Sequence, residues 1–524
     1  MKNTTCNCPN EMKINQNTST VILQRKNRSK MFLSLVLVLF MFGLLTEFSK
    51  ASFAASGRRL TLDEAVAIAR EKSPDALAAR HRYRGSYWQY RSHRAGFLPH
   101  LRLDATLPNL NRSISPITLP DGSDAFVRRS LASSSGTLSL SQNIGLTGGQ
   151  LFVTSGLQRI DLIRDDNTLV SYLATPVNIG LRQPIFAHNP YRWQQQIEPL
   201  RYKEAQKTYA ENLEDIAIRA TQNFFDLLIA QINLEINLQT LSTNDTLFQI
   251  ARARFDLGRI TESDLLQMEL NVLNAKATLE QTRIDHEAAK FRFRSFLGLG
   301  IEETISLIAP EIIPQIRIEL STALAQARKN RSDLVAFQRQ VLEAGSEVSQ
   351  ARADNRFNAN IFAVYGLTGS AANLSGAYQD PLDHQQLVVG ISIPILDWGV
   401  GRGKVRMAES NRDLISTEIN QAIEDFQQEI FVRVMEFNAL PGQLDIAYRA
   451  NTIAQRRFDV SRERFLIGRI DIVELNLAID AKELARTRHI LALRNFWLGF
   501  YEMRRLTLFD FLLNKPIVAD YENL

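Results

Sequence analysis

This chain is expected to adopt a mixed, mainly α-helical fold of very long helical hairpins joined to a short β-barrel that one copy is too small to close. Three observations lead there. The chain is internally duplicated, each copy carries a helical pattern roughly 60 to 70 residues long, and each copy also carries strands that alternate apolar and polar residues.

The duplication runs at a fixed spacing of 210 residues. Gly180-Leu181-Arg182-Gln183-Pro184-Ile185-Phe186 answers to Gly390-Ile391-Ser392-Ile393-Pro394-Ile395-Leu396, and Arg254-Phe255-Asp256-Leu257-Gly258-Arg259-Ile260 to Arg464-Phe465-Leu466-Ile467-Gly468-Arg469-Ile470. An earlier stretch repeats at 258: Ala69-Arg70 with Asp75 matches Ala327-Arg328 with Asp333. Each copy is then one unit that buries its apolar face against the other.

At the N-terminus, Arg25, Lys26, Arg28 and Lys30 precede a mostly apolar run from Met31 to Leu45, followed by Ser52, Ala54 and Ala55. This is the pattern of an export signal cleaved after about Ala54, and the run is short for a membrane span of about 20 residues. Residues 1–54 hold seven Lys and Arg against Glu11 and Glu47, so the formal net charge of +5 belongs to that segment. The remainder is close to neutral and gives no basic surface for nucleic acid. Both cysteines, Cys6 and Cys8, leave with the signal, which excludes a disulfide framework and a thiol nucleophile in the mature chain.

Within each copy the expected order is helix, strands, very long helix, tight turn, long helix. First helices are expected from about Leu62 to Ala95 and from Thr322 to Ala353, both rich in good helix formers. Leu101, Leu103, Ala105 and Leu107 alternate with polar residues, as do Val177, Ile179 and Leu181; the second copy offers Ala359 and Ile361, then Leu387, Val389, Ile391 and Ile393. The first copy holds 48 extra residues between its strands, with alternating runs Thr137–Ile144 and Gln150–Thr154 joined near Gly148 and Gly149. They point to an added hairpin or an enlarged loop, so the count per chain is four strands or six. Since the smallest membrane barrels need about eight strands, closure requires several copies: twelve strands from three chains of four, eighteen from three chains of six.

The long helices run from Pro184 to Gly258 and from Gly403 to Gly468, each about 100 Å at 1.5 Å per residue. Pro441 falls inside the second without breaking the register, which predicts a kink. Gly258 and Gly468 suit the left-handed residue that ends a helix, and Thr261 and Asp471 the N-cap of the next. Asp264 and Glu474, three residues on, fit capping boxes. Ile260 with Leu265, and Ile470 with Leu475, have staple spacing. A sharp helical hairpin tip is expected twice.

With these motifs in place, the chain resembles the TolC-type outer-membrane efflux proteins over nearly all its length beyond the signal. The resemblance implies a homotrimer in which a short membrane β-barrel continues into a long periplasmic α-helical barrel. It also implies that the hairpin tips form the periplasmic entrance, where an adaptor (membrane fusion) protein docks and couples the duct to an inner-membrane transporter. The tip residues carried over are Arg254, Phe255, Leu257, Gly258, Arg259 and Ile260, with Arg464, Phe465, Ile467, Gly468, Arg469 and Ile470. Thr261, Asp264, Asp471 and Glu474 are entrance residues or plain helix caps. Glu474 matches an acidic position of the family's entrance, but the next one meets Leu477, and the Arg that commonly holds the gate corresponds to Ile470. A gate bridge of the usual kind is not expected.

The implied function is a passive exit duct for small molecules or proteins, set in the outer membrane with a large periplasmic part and contacting outer-membrane lipid. The alternative is an exported coiled-coil scaffold or adhesion protein without a pore, which accounts for the helices but not for matched amphipathic strands. An enzyme is not expected. His81, His93, His100, His188, His286, His384 and His489 are scattered without metal-ligand spacing, and Gly399-Val400-Gly401-Arg402-Gly403-Lys404 lacks the spacing of a phosphate loop. No catalytic residue, metal or cofactor is expected. The expected organisation is a signal over 1–54, a first repeat over 55–300 with its tip near 258, a second over 301–510 with its tip near 468, and a tail over 511–524.

Overall fold

The computed structural model describes residues 58–163, 167–300, 305–310 and 312–519; the expected export signal lies outside them. They fall into two units. In the small one, Arg58–Arg59 and Ile305–Ser306 begin the strands β1 (Arg58–Leu60) and β6 (Ile305–Leu307), which pair as a ribbon. All the other described residues belong to the large unit.

In the large unit, Thr61 starts α1 (Leu62–Lys72) through a reciprocal capping box with Glu64. Ser73 then ends α1 and caps α2 (Pro74–Ala95), its hydroxyl accepting Ala76 N–H at 3.1 Å while Pro74 occupies the first helical position. The single helix expected from Leu62 to Ala95 is therefore two. The same holds in the second copy, where α5 (Leu320–Asn330) and α6 (Asp333–Asp354) break at Arg331–Ser332. There Ser332 does not cap its own helix; its N–H and hydroxyl donate to Glu211 at 2.8 and 2.7 Å.

Six antiparallel strands form one sheet in the order β2 (His100–Thr118), β3 (Asp124–Asn143), β4 (Gln150–Ile163), β5 (Thr168–Ile185), β7 (Asn358–Ala371), β8 (Leu382–Ser392). The 48 extra residues are a hairpin within the sheet, which holds six strands among the described residues. β2 and β3 run far past the expected stretches because the polar, Ser-rich segment 109–135 pairs in regular register beyond a bulge between Thr106 and Asn109. The two copies meet where β5 pairs with β7.

From the sheet the chain enters α3 (Pro190–Asp256) and returns by α4 (Glu262–Leu297); the second copy does so by α7 (Val400–Leu466) and α8 (Ile472–Thr507). Pro199 lies inside α3 and Pro441 inside α7, neither ending its helix. At 1.5 Å per residue the 67-residue helices α3 and α7 are about 100 Å long. Next to the sheet the helices lie abreast as α2, α3, α6, α7; towards the tips they lie as α4, α3, α8, α7. Midway, the buried Glu214 of α3 accepts Arg70 of α1 at 2.7 Å and Arg504 of α8 at 3.1 Å, and Arg504 also pairs with Asp510.

Candidate functional site

The two hairpin tips turn through the same backbone hydrogen bonds and differ in their caps. Gly258 (φ +67°) and Gly468 (φ +74°) take the left-handed conformation that lets the last helical carbonyls be satisfied by the chain as it turns. Arg259 N–H donates to Arg254 O at 2.9 Å, and Arg469 N–H to Arg464 O at 2.9 Å; Gly258 and Gly468 donate likewise to Phe255 O and Phe465 O. Thr261 caps α4, accepting Asp264 N–H at 3.2 Å, while Asp264 accepts Thr261 N–H at 3.1 Å. At the second tip Asp471 accepts Glu474 N–H at 2.8 Å, but no return bond is made and Glu474 faces out; the second expected capping box is half formed. Asp471 already fills the cap with a carboxylate, which leaves the Glu474 carboxylate no favourable reason to approach it.

Where the tips meet, Leu247 and Ala251 of α3, Met268 of α4, Phe458 and Phe465 of α7 and Leu475 of α8 are buried together, with Ile260, Leu265 and Ile470 packed at the margin. Arg254 crosses this seam. Its guanidinium donates to Phe465 O at 3.2 Å and Leu466 O at 3.1 Å, and lies 5.3 Å from the Phe465 ring centroid. A cation at a helix C-terminus is where the carbonyl dipoles favour it. Further along, Lys482 sits 4.2 Å from the Phe458 ring, and burial pushes its ammonium below the ordinary lysine value.

The sequence-derived tip residues thus divide. Arg254, Ile260, Asp264, Phe465, Ile470 and Asp471 share the cleft between the tips with Arg259, Ile467 and Gly468. Phe255 and Leu257 remain exposed, as do Arg464 and Arg469. Motif reading missed Met268, Phe458 and Lys482, whose spacing from the glycines carries no turn signal; the apolar period of the helices is what places the first two inward.

At the far end, the register aligns Leu101 with Leu140, Leu140 with Val153, Val153 with Ile179, Ile179 with Tyr365, and Ile361 with Val389. One face of the sheet is therefore apolar across all six strands, yet it is uncovered: Leu101 is 67% exposed and Leu387 71%. The opposite face carries Arg102, Asp104, Thr106, Asn178 and Arg182, with Arg182 5.8 Å over the Phe362 ring, which stacks on Phe152 at 5.9 Å. Both outer strands, β2 and β8, have an open edge within the chain. Among the described residues no helix is long and apolar enough to cross a membrane.

A match to the outer membrane efflux protein family spans residues 150–299 and 323–496, more than half of the chain. The chain belongs to that family. The match begins at β4, so the β2–β3 hairpin lies outside it. Among relatives of this efflux-family chain, the alkaline protease secretion protein AprF of Pseudomonas aeruginosa is 19% identical over 273 residues, 51% of this chain and 55% of AprF. The outer membrane efflux protein BepC of Brucella suis is 26% identical over 183 residues, 33% of this chain and 38% of BepC. The chain spans about half or less of the length of these relatives. Two solved structures extend the likeness along nearly the whole fold. The Campylobacter jejuni CmeC outer membrane channel superposes with a TM-score of 0.63 at 15% identity, covering 88% of this chain and 87% of its own. The Vibrio cholerae outer membrane protein VceC does so with a TM-score of 0.60 at 15% identity, covering 87% and 96%. The efflux-family chain shares the fold of these channels.

Proposed function

We propose that this protein is the outer-membrane exit duct of a tripartite efflux or type I secretion system, passing small molecules or proteins across the periplasm and outer membrane. The observation that carries the reading is the six-stranded sheet with one bare apolar face and two open edges, mounted on helices about 100 Å long. An exposed apolar surface of that extent needs a cover, and lipid supplies one for a closed barrel. A scaffold without a pore leaves the face unexplained.

Widths support closure by three copies. Four helices abreast occupy about 32–40 Å of arc at 8–10 Å each. Six strands about 4.8 Å apart and tilted by about 40° occupy about 37 Å. Sheet and helices therefore curve together, and β8 of one copy pairs with β2 of the next, making a homotrimeric barrel of eighteen strands over a ring of twelve helices. The polar face with Arg102, Asp104 and Arg182 then lines the lumen.

Residues 1–54 act as the export signal, 55–300 and 301–510 as the two repeats, and 511–524 as a tail. The tips Arg254–Ile260 and Arg464–Ile470, with Thr261, Asp264, Asp471 and Glu474, face the periplasm and receive the adaptor protein, which couples the duct to an inner-membrane transporter. Opening follows from adaptor contacts that favour splayed tips.

Purified protein in a planar bilayer is expected to conduct, and single particles to show threefold symmetry. A non-conducting monomer in detergent would overturn this reading.

A further inference from the structure

We propose that Arg464 clamps the C-terminal carbonyls of α3 in the neighbouring copy, accepting the role between chains that Arg254 plays within one, so that the closed tip is a ring of six alternating clamps. The inference rests on the trimeric reading above and adds the contact that joins the copies at the tip.

The duplication supplies the geometry. Within the chain, Arg254 donates to Phe465 O and Leu466 O and covers the Phe465 ring. A shift of 210 residues converts this set into Arg464 acting on Phe255 O and Asp256 O with the Phe255 ring beneath it. The two residue types that make the contact, Arg and Phe, are kept under the shift. Their state is not: Phe465 is 6% exposed, whereas Phe255 is 37% exposed, and the Arg464 side chain lies exposed with no hydrogen-bond or ion-pair partner among the described residues. Both halves of a second clamp are therefore present and apart. One chain cannot join them, because its first hairpin already occupies the side of the second that Arg254 reaches. The next copy, related by rotation about the duct axis, presents Phe255 to Arg464.

The flanks of the helices agree. Within the chain α3 packs on α8, so the shifted contact sets α7 on α4 of the next copy. α7 leaves Ile446, Ile453 and Val460 exposed at strict seven-residue intervals, and α4 leaves Leu266, Leu270 and Leu273 exposed in a coiled-coil pattern. At the internal seam, Thr240 donates to Glu483 at 2.7 Å and Glu235 pairs with Arg486 at 3.0 Å. Their counterparts are Ala450 with Leu273, and Asp445 with Lys276. The first pair is apolar on both sides and the second is opposite in charge, so the open faces complement one another. Asp445 is at present paired with Arg449 on its own helix at 3.0 Å, an exposed pair that is easily exchanged.

The test is cross-linking of full-length protein in membranes, with Cys6→Ser and Cys8→Ser as background. Ala450→Cys with Leu273→Cys, treated with a short bis-maleimide, is expected to give dimer and trimer bands, and each single variant none. Thr240→Cys with Glu483→Cys serves as the internal control, reacting within one chain without a change in mass. Trimeric protein in which the control reacts but the Ala450/Leu273 pair yields monomer alone overturns the clamp and spares the duct. Protein that is monomeric throughout overturns the duct reading and the clamp with it. In bilayers, Arg464→Gln and Arg254→Gln are each expected to raise conductance, and Arg464→Lys to keep most of the closure. A rise with Arg254→Gln beside no change with Arg464→Gln also overturns the proposal.

Discussion

The carboxylate of Glu214, 1% exposed in the middle of α3, lies 2.7 Å from the guanidinium of Arg70 on α1. With Arg504 and Asp510 it forms a chain of alternating charges that ties α1, α3 and α8 together at mid-height. Removing one partner of such a set leaves the others charged and dry. Glu214→Gln is expected to cost about 3–5 kcal/mol, read as a lowered urea midpoint, whereas Arg70→Gln, at a site 29% exposed, costs less because water screens what remains. Equal losses for the two would contradict the account.

At the tips, Gly258 and Gly468 have open space where a Cβ would stand, so a side chain there meets only backbone strain. Gly258→Val with Gly468→Val is expected to cost about 1–2 kcal/mol at each left-handed position. The double variant should still run as a trimer but capture the adaptor less well in a pull-down. Gly→Asn at both places should retain capture, since Asn visits that conformation readily.

Two glycines of the sheet should respond in a fixed order. A Cβ on Gly366 would come within 2.3 Å of Val177 O and 2.7 Å of Asn178 Cα, both backbone atoms at the bulge where β5 meets β7. On Gly180 it would meet the Phe152 ring at 2.2 Å, which can swing away and lose its stack on Phe362. Gly366→Ala is therefore expected to lower the thermal midpoint more than Gly180→Ala, the latter within the roughly 1–3 kcal/mol usual for overpacking. The reverse order would show that the bulge is not rigid.

Burial pushes the Tyr501 phenol up to about 12, where an unfolded chain keeps it near 10. The folded state thus holds its proton longer, and stability present below pH 10 is lost as pH rises towards 12. The two-unit gap corresponds to about 2–3 kcal/mol. Urea titrations at pH 9 and pH 12 should show a smaller drop for Tyr501→Phe than for the unaltered chain.

What could be seen in the sequence was whatever repeats or punctuates. The 210-residue spacing located both tips, because a left-handed glycine followed by a cap residue leaves few alternatives. The breaks at Ser73–Pro74 and Arg331–Ser332 were not seen, although Ser-Pro is a known start signal; helix formers on both sides hid it. The length of β2 and β3 was hidden for another reason. Segment 109–135 is rich in Ser, and such residues carry no period when neither face enters a core. Glu214 gave no sign either, since its partners are set by helix packing and lie 144 and 290 residues away. The bonds of Arg254 were equally invisible, yet its twin Arg464 could be named from the repeat once they were known.

The β2–β3 ribbon continues from Arg129 to Asp124 after β4 has stopped at Ile163. Six residues at about 3.4 Å each lift its bend about 20 Å above the neighbouring rim. In the assembled duct three such masts would crown the outer mouth, carrying Arg128 and Phe126 beyond the rim. A phage or an antibody arriving from outside would touch those turrets before anything else.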